Sequence, residues 1–378
     1  MKYNIPLAIP KIDIEEEETV LEVLKSGWLT HGPYNEKFEE KFAKYIGVSD
    51  AIAMNSCTSA LEIALKVHNI KGEVIIPSFT FVATANSVIN SGATPVFCDV
   101  DLDTRNVTAD HIKEVITPDT QAVMIVHFAG QPCEMDKIIK LCEEKDLLLI
   151  EDSAETVGAR YGAKQAGSFG LGCFSFFPTK NMTTGEGGML TCNDPQLAEK
   201  IRAMIGHGIV KSSFQREKSE KPWFRSATLA GHNFRMSNLL AAIGYHQIDK
   251  LDDMNNHRKK IASLYDKLLK DNDLNIKTPC VVNKAEHVYQ MYTITVDENK
   301  RDMLVNKLRD RGIFASVHFD PPVHLQDYYK NTIKLTTTLI NTEKLSNTIV
   351  SLPIYQTMPI ENVNIVVENI KEILTKEI

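Results

Sequence analysis

The chain has 378 residues, of which 43% are hydrophobic and 24% charged, enough for two or three domains at about 150 residues each. These fractions exclude disordered, collagen-like and low-complexity chains. The 42 Lys and Arg residues against 49 Asp and Glu residues give a net charge of −7, and no basic run is interleaved with aromatic residues, so a nucleic-acid partner is not expected.

The cysteines and the amino terminus point to a cytoplasmic protein. The seven cysteines are odd in number and form no Cys-x-x-Cys pair, so the sequence predicts neither a disulfide framework nor a metal site. The first residues, with two prolines before an acidic run at 15–18, do not resemble a signal peptide. The apolar runs are too short to span a bilayer, so no membrane partner is expected.

Short apolar runs alternate with segments of helical period between residues 50 and 195. This alternation predicts an α/β protein with a mostly parallel, doubly wound sheet. The predicted strands are residues 74–76, 95–98, 122–126, 147–150, 173–177 and 188–192, with helices over 58–67 and 134–145. Such sheets bind ligands beyond the carboxyl ends of their strands, so the residues that follow these runs are the functional candidates.

The sequence after residue 239 predicts a smaller α+β domain. A long amphipathic helix is predicted over 239–269, and shorter elements follow it: strands at 292–296 and 315–319, and helices at 301–311 and 360–374. The predicted organisation is an N-terminal segment (1–25) that packs with the small domain, a large domain (26–250) and a small C-terminal domain (251–378).

Lys180 is the first candidate for chemistry. It follows the apolar run 173–177 and precedes the glycine-rich stretch 181–188. Partial burial at such a place would favour the neutral amine, which can form a Schiff base with a carbonyl group. Most lysines are exposed, so a role as a solvated surface residue stays open.

Asp152 is the second candidate, directly beyond the predicted buried strand 147–150. A carboxylate held there can pair with the ring nitrogen of pyridoxal phosphate and keep it protonated, which makes the ring a better electron sink. Aspartate is also a favoured helix cap, so a capping role stays open.

Small hydroxyl residues in the stretch 55–61 open a predicted helix, where backbone N–H groups can bind an anion such as a cofactor phosphate. Ser175 could donate to the same phosphate, and Phe81 could stack on a flat ring. The same residue types cap helices and fill cores that bind nothing. No His-Glu-x-x-His, Walker or Gly-x-Ser-x-Gly motif supports a zinc enzyme or a hydrolase instead.

Taken together, the ordered motifs resemble the DegT/DnrJ/StrS family of sugar-nucleotide aminotransferases. The motifs lie at residues 26–33, 56–61, 77–81, 151–155, 167–170, 174–181, 184–188, 231–236 and 318–319. The resemblance implies a fold type I pyridoxal phosphate enzyme of the aspartate aminotransferase superfamily, with a large domain built on a mostly parallel sheet and a smaller α+β C-terminal domain.

The resemblance also implies roles for individual residues. Lys180 and Asp152 would be catalytic: Lys180 would bind the cofactor as a Schiff base and move a proton, and Asp152 would pair with the ring nitrogen. The implied cofactor-binding residues are Cys57, Thr58, Phe81, Asp152, Glu155, Ser175, Lys180 and Asn233. Glu155 would lie near the ring hydroxyl, and Asn233 would reach the phosphate of a neighbouring protomer, which implies a homodimer with shared active sites.

Four residues are expected to line the substrate pocket: Trp28, Thr30, Arg235 and His318. For Trp28 and Arg235, packing and ion pairing are the alternatives. The sequence departs from the family pattern in two places, since the loop 170–173 is one residue shorter and Glu155 stands where His or Gln is frequent. Neither departure removes a catalytic group.

The implied activity is a pyridoxal 5′-phosphate-dependent transfer of an amino group from L-glutamate to a keto group of a nucleotide-linked deoxysugar, as in polysaccharide biosynthesis. The segments 223–225 and 318–324 resemble members that aminate C4 rather than C3. Relatives with histidine in place of the lysine are dehydratases, so Lys180 favours transamination. Two alternatives stay open: a non-catalytic regulatory protein that binds pyridoxal phosphate and a sugar nucleotide, and an aminotransferase for a non-nucleotide cyclic ketone.

Overall fold

Seven strands form the main sheet of the computed structural model, which describes residues 2–210, 221, 223–270 and 274–376. Two smaller sheets contain three and two strands. In chain order, the strands of all three sheets are β1 (Asp50–Met54), β2 (Glu73–Pro77), β3 (Thr94–Cys98), β4 (Thr120–Val126), β5 (Leu148–Asp152), β6 (Arg160–Tyr161), β7 (Lys164–Gln165), β8 (Leu171–Ser175), β9 (Gly188–Cys192), β10 (Ala285–Glu286), β11 (Tyr292–Thr295) and β12 (Ile349–Leu352). The main sheet has the order β1-β9-β8-β5-β4-β2-β3, in which only β9 runs antiparallel to its neighbours. The predicted α/β fold with a mostly parallel sheet is confirmed.

Helices cover both faces of this sheet. In chain order, the α-helices of the described residues are α1 (Ile14–Ser26), α2 (Pro33–Ile46), α3 (Cys57–Val67), α4 (Val82–Ser91), α5 (Ala109–Glu114), α6 (Met135–Lys145), α7 (Pro195–Ile205), α8 (Asn238–Lys270), α9 (Glu298–Asp310), α10 (Asp327–Thr332), α11 (Ile340–Thr348) and α12 (Glu361–Lys376). Along β4, Met124 packs with α3 and α4, whereas Val123 and Ile125 pack with α5 and α6. Neighbouring strand residues face opposite sides, so a doubly covered strand appears in the sequence as a continuous apolar run.

A second hydrophobic core lies in the C-terminal part, where β11 and β12 pair antiparallel beside α9 and α12. The long helix α8 joins the two parts. Residues of its first half, such as Met254, pack against α2 and the main sheet, whereas Ile261 and Leu269 belong to the second core. The predicted boundary at residue 250 falls inside this continuous helix, and the domain limits stay a prediction.

The amino-terminal segment contacts both parts. The backbone N–H groups of Tyr3 and Ile5 donate to carbonyl groups after α9 at 2.9 Å, and Ile5 is buried in the second core. Helix α1 instead lies along the first half of α8, where the hydroxyl of Thr19 is 2.8 Å from Nε2 of His246. Only the first few residues therefore join the C-terminal part.

The prediction of a strand over residues 315–319 is wrong. In the part of the chain that the structure describes, this segment pairs only through a single bridge between Ser316 and Ser351. Beyond Ser316 the chain turns toward a cavity at the edge of the main sheet. Val317 and Phe319 are partly buried against the core, which produces the alternating pattern that suggested a strand.

The buried carboxylate of Glu151, near the end of β5, holds the loop that precedes β8. Its oxygens accept three backbone N–H groups of the loop 167–170, each at 2.8 Å. They also accept Nε2 of His127 at 2.9 Å, which carries the proton because Nδ1 accepts the N–H of Cys133. In the shorter stretch 170–173, the first residue is therefore anchored and the other three already belong to β8.

Acidification should destabilise the fold through His287. Burial, with a smaller contribution from Arg105, lowers the pKa of this imidazole to about 3. Below the ordinary histidine pKa of about 6.5, the imidazole binds a proton in the unfolded chain but not in the folded chain. The free energy of unfolding therefore decreases as the pH falls. We expect His287 alone to reduce the free energy of unfolding by about 2 kcal/mol between pH 7 and pH 5.

Urea denaturation at several pH values measures this effect. The control is His287→Asn, whose side-chain oxygen can replace Nδ1 as acceptor of the Tyr289 N–H group. The variant should lose less stability than the wild type over the same range. Parallel pH curves for the two proteins would contradict the expectation.

Candidate active site

A cavity of about 630 Å³ lies at the carboxyl ends of the parallel strands. Its walls come from the end of β5, the end of β8, the β2–α4 turn and the first turn of α3. The segment 317–321 and residues near β11 close the remaining side. Its size suits a small molecule, and its position is the one expected for ligands of an open α/β sheet.

Eight of the twelve predicted site residues line this cavity. They are Cys57, Thr58, Phe81, Asp152, Glu155, Ser175, Lys180 and His318. The other four, Trp28, Thr30, Asn233 and Arg235, lie outside it. The structure therefore brings together the residues that follow β2, β5 and β8 with the start of α3.

Lys180 is placed by a turn after β8, in which its backbone N–H donates to the carbonyl of Phe177 at 2.9 Å. Its amine lies 3.3 Å from Oε1 of Glu155, and both side chains are mostly buried. The other oxygen of Glu155 accepts the backbone N–H of Ala129 at 2.7 Å. Glu155 is thus held in place next to the only lysine amine among the described residues of the cavity wall.

Asp152 is buried at the end of β5 and accepts two hydrogen bonds. The hydroxyl of Thr84 donates to Oδ2 at 2.8 Å, and the backbone N–H of Ala154 donates to Oδ1 at 3.2 Å. Burial is the largest influence on the carboxyl group and raises its pKa, while these two hydrogen bonds oppose that shift. The arrangement suits a carboxylate that receives a cationic N–H group from a ligand.

The first turn of α3 presents backbone donors of the kind that bind anions. The hydroxyl of Ser56 caps the helix by accepting the N–H of Ser59 at 3.1 Å. The N–H groups of Cys57 and Thr58, the first two helical residues, have no acceptor within the helix because of their position. Burial, which is the main influence, raises the pKa of the Cys57 thiol well above its usual value, so this group contributes no charge.

Two of the rings in the wall, those of Phe81 and His318, belong to predicted site residues. Phe81 is 64% exposed although it is large and apolar, so its face is available to a flat ligand. His318 is partly buried, with Nδ1 2.7 Å from the hydroxyl of Ser351. Burial lowers the pKa of His318, which keeps this imidazole neutral at physiological pH.

Thr84 and Gln290 are two of the wall residues that sequence reasoning did not single out. Thr84 binds Asp152, and one signal was available, since it lies one helical turn beyond the strand-end run 77–81. Gln290 donates from Nε2 to the carbonyl of Thr179 at 3.1 Å, and its buried Oε1 has no partner within the described chain. No pattern in the sequence marks Gln290.

The four outlying residues lie on two surface segments. Trp28 donates from its indole to the carbonyl of His31 at 3.0 Å, in the turn between α1 and α2 that also holds Thr30. Arg235 donates to the side chain of the exposed Asn233 at 2.9 and 3.2 Å and lines a separate cavity of about 410 Å³. A role for these residues in catalysis stays a prediction.

The donor set of the main cavity fits pyridoxal 5′-phosphate. A helix N-terminus with hydroxyls matches the phosphate, the buried Asp152 matches the ring nitrogen, and the amine of Lys180 matches the aldehyde. Phe81 presents a ring face to the same space. The phosphate, the ring nitrogen, the aldehyde and the ring face therefore each have a counterpart among residues that face one cavity.

Within the described ranges, no helix combines the length and the apolar character needed to cross a membrane.

Comparison with known proteins identifies relatives over the whole chain. The chain is 39% identical over 381 residues to the spore coat polysaccharide biosynthesis protein SpsC of Bacillus subtilis, covering 98% of this chain and 97% of SpsC. It is 39% identical over 331 residues to GDP-perosamine synthase of Caulobacter vibrioides, covering 84% and 86% of the two chains. The crystal structure of the aminotransferase TlmJ from Streptoalloteichus hindustanus superposes with a TM-score of 0.92 at 31% identity, covering 100% of both chains.

The cofactor and the fold type follow from the same comparisons. A protein from Streptococcus pneumoniae with the same fold, at 26% identity and TM-scores of 0.93 and 0.92, has been solved in a PMP-form and a PLP-form. The fold is that of fold type I enzymes, and pyridoxal phosphate is the cofactor of this aminotransferase group. Residues 10–371 match the sequence model of the DegT/DnrJ/EryC1/StrS aminotransferase family, and the chain belongs to this family.

Proposed function

We propose that this sugar aminotransferase transfers an amino group from L-glutamate to a keto group of a nucleotide-linked deoxysugar. The observation that carries the proposal is the convergence of Lys180, Asp152 and the first turn of α3 on one cavity. A protein that neither binds nor uses such a cofactor has no physical need to keep all three groups facing the same space. GDP-perosamine synthase, among the relatives, supports a nucleotide-linked acceptor.

Each group of this chain has a distinct task in the proposed reaction. When bound, pyridoxal phosphate supplies the electron sink for a carbanion next to the transferred nitrogen. Lys180 holds and moves the proton as general acid and base, which requires an amine that changes its charge. Oε1 of Glu155, 3.3 Å from that amine, holds it in position. Asp152 holds positive charge at the far side of the cavity, and its burial strengthens this interaction.

The charges of the cavity support a site completed by a second copy. Of the described residues in its wall, Asp152, Glu155, Glu186 and Asp320 carry carboxylates, whereas Lys180 is the one Lys or Arg. Glutamate and the nucleoside diphosphate of a sugar nucleotide are both anionic, and the excess of carboxylates in this wall would repel them. We propose a homodimer in which the partner contributes Asn233 to the phosphate site and the Trp28, Thr30 and Arg235 segments to the substrate pocket.

The finer assignments rest on the sequence. C4 of the sugar is favoured over C3 by the segments 223–225 and 318–324, and glutamate is favoured over glutamine as the donor. The SpsC relative supports a place in polysaccharide biosynthesis. The alternative acceptor is a non-nucleotide cyclic ketone, and the alternative to catalysis is a regulatory protein that binds the cofactor and a sugar nucleotide.

Visible absorbance provides the first test of catalysis. The wild type with added pyridoxal phosphate should develop a band of covalently bound cofactor that bleaches with excess glutamate. Lys180→Ala should show neither the band nor the bleaching, because no other lysine of the described chain lines the cavity. The matched control is Lys164→Ala, an exposed lysine that should behave as the wild type. A stable band that glutamate and glutamine both leave unchanged would favour the regulatory alternative.

The acceptor is then tested with a panel of ketones and excess glutamate. The panel contains GDP-, UDP- and dTDP-linked 4-keto and 3-keto 6-deoxyhexoses and one non-nucleotide keto-cyclitol, with amino products detected by mass spectrometry. We expect product from a nucleotide-linked 4-keto sugar. Amination of the cyclitol alone would contradict the proposed acceptor, and amination of 3-keto sugars alone would contradict the C4 assignment.

Asp152→Asn should separate activity from stability. Turnover should fall at least about a hundredfold, because a neutral amide cannot balance charge at the ring nitrogen. Burial raises the pKa of Asp152, so above that pKa the ionised group lowers the stability of the cofactor-free protein. The thermal midpoint of cofactor-free Asp152→Asn should therefore equal or exceed that of the cofactor-free wild type. Asp136→Asn, at an exposed carboxylate outside the cavity, is the control, and normal turnover in Asp152→Asn would contradict the role.

Mixed dimers test the shared site. Lys180→Ala and Asn233→Ala should each be defective alone, but a mixed dimer contains one site with both residues intact. After random reassociation we expect about one quarter of the wild-type rate of bleaching with glutamate. Lys180→Ala mixed with Asp152→Asn is the control without recovery, since both residues belong to one chain's cavity. No recovery in the first mixture would place Asn233 outside the partner's site.

A further inference from the structure

The hydroxyl groups of two threonines form a chain of hydrogen bonds that ends at Asp152. Oγ1 of Thr84 lies 2.8 Å from Oδ2 of Asp152, and Oγ1 of Thr80 lies 2.8 Å from Oγ1 of Thr84. Thr80 and Thr84 are 2% and 1% exposed. Thr80 precedes the N-cap of α4 and Thr84 lies in the first turn of that helix, so the bend of the chain into α4 brings their hydroxyls together. The contact joins the β2–α4 turn to the end of β5.

The carboxylate fixes the direction of this chain. An ionised carboxylate only accepts hydrogen bonds, so the hydroxyl of Thr84 donates to Asp152. The oxygen of Thr84 is then the acceptor for the hydroxyl of Thr80. A protonated Asp152 could instead donate to Thr84 and reverse both bonds. The two hydroxyls therefore favour the ionised state most when both are present and aligned.

We propose that Thr84 is a positioning residue which, with Thr80 behind it, keeps the carboxyl group of Asp152 ionised and oriented toward the cavity. Burial alone raises the pKa of Asp152, and the hydrogen bond from Thr84 is the largest opposing influence. The other titratable groups that face this carboxyl are Glu155, Lys180, Cys57 and Cys173. The consequence for cofactor binding rests on the proposed role of Asp152.

Three variants isolate the hydroxyls. Thr84→Val removes the hydroxyl that donates to Asp152 at nearly constant volume, and Thr84→Ser keeps that hydroxyl but removes the methyl group. Thr80→Val removes only the outer hydroxyl. Infrared difference spectra of the cofactor-free protein between pairs of pH values report the protonated carboxyl band, which Asp152→Asn assigns. Absorbance titration with pyridoxal phosphate at pH 8 gives the affinity. Circular dichroism confirms that each variant is folded.

We expect the carboxyl of Asp152 to titrate at higher pH in Thr84→Val and the affinity for pyridoxal phosphate to fall about tenfold, the size expected for a hydrogen bond to a charged group. Thr80→Val should shift both quantities in the same direction by less, and Thr84→Ser should match the wild type. A Thr84→Val protein with wild-type titration and affinity would overturn the proposal.

Two further outcomes also overturn it. Thr84→Ser as weak as Thr84→Val would assign the effect to the lost methyl group, and Thr80→Val equal to the wild type would remove Thr80 from the chain. The infrared measurement needs no cofactor, donor or sugar, so it is independent of the proposed function. A shifted titration with unchanged affinity would support the hydroxyl chain while contradicting the pairing of Asp152 with the cofactor.

Discussion

Two adjacent buried carboxylates at the end of β5 are the constraint on which the site depends. Consecutive strand residues face opposite sides of a sheet, so Glu151 and Asp152 serve different structures. Glu151 anchors the loop 167–170 through three backbone hydrogen bonds. That loop leads into β8, which pairs with β5 in parallel. The position of Lys180, in the turn after β8, is therefore set from the same strand end that presents Asp152.

A buried arginine fixes the opposite wall of the cavity. Arg258, in the middle of α8, donates to the carbonyls of Tyr289, Gln290 and Ile354 at 3.0 to 3.3 Å. Burial lowers its pKa to about 10, which leaves the guanidinium charged at neutral pH. Because one side chain binds the wall segment and the C-terminal part together, Gln290 keeps its place relative to α8. The cavity thus depends on both hydrophobic cores.

Much of this arrangement could be predicted from sequence because parallel strands bring their carboxyl ends to one edge. The apolar runs located the strands, and the residues that followed them, among them Asp152 and Lys180, do meet in the cavity. The order of motifs supplied the family. The remaining features depend on contacts between distant segments. Thr84 lies 68 residues from its partner Asp152, and the wall residue Gln290 follows no strand of the main sheet.

Local pattern also misled where packing determined the backbone. Residues 315–319 alternate as a strand does, but the cavity wall and the C-terminal core bury the apolar side chains of this segment, and its described pairing with β12 is limited to the bridge between Ser316 and Ser351. Trp28, Thr30 and Arg235 belong to motifs of the family, and single-chain geometry places them outside the cavity. A sequence motif can identify residues that function together, but it does not specify which copy of the chain provides each one.

The contrast between Glu151 and Asp152 explains why one carboxylate is structural and the other is available to a ligand. A carboxylate has about four acceptor positions. Glu151 fills four of them with donors from its own chain, whereas the described residues give Asp152 only two. An incompletely satisfied buried charge reduces stability, and burial accordingly raises the pKa of Asp152. A ligand that brings a cationic N–H donor removes this cost, so the stability recovered contributes directly to affinity for that ligand.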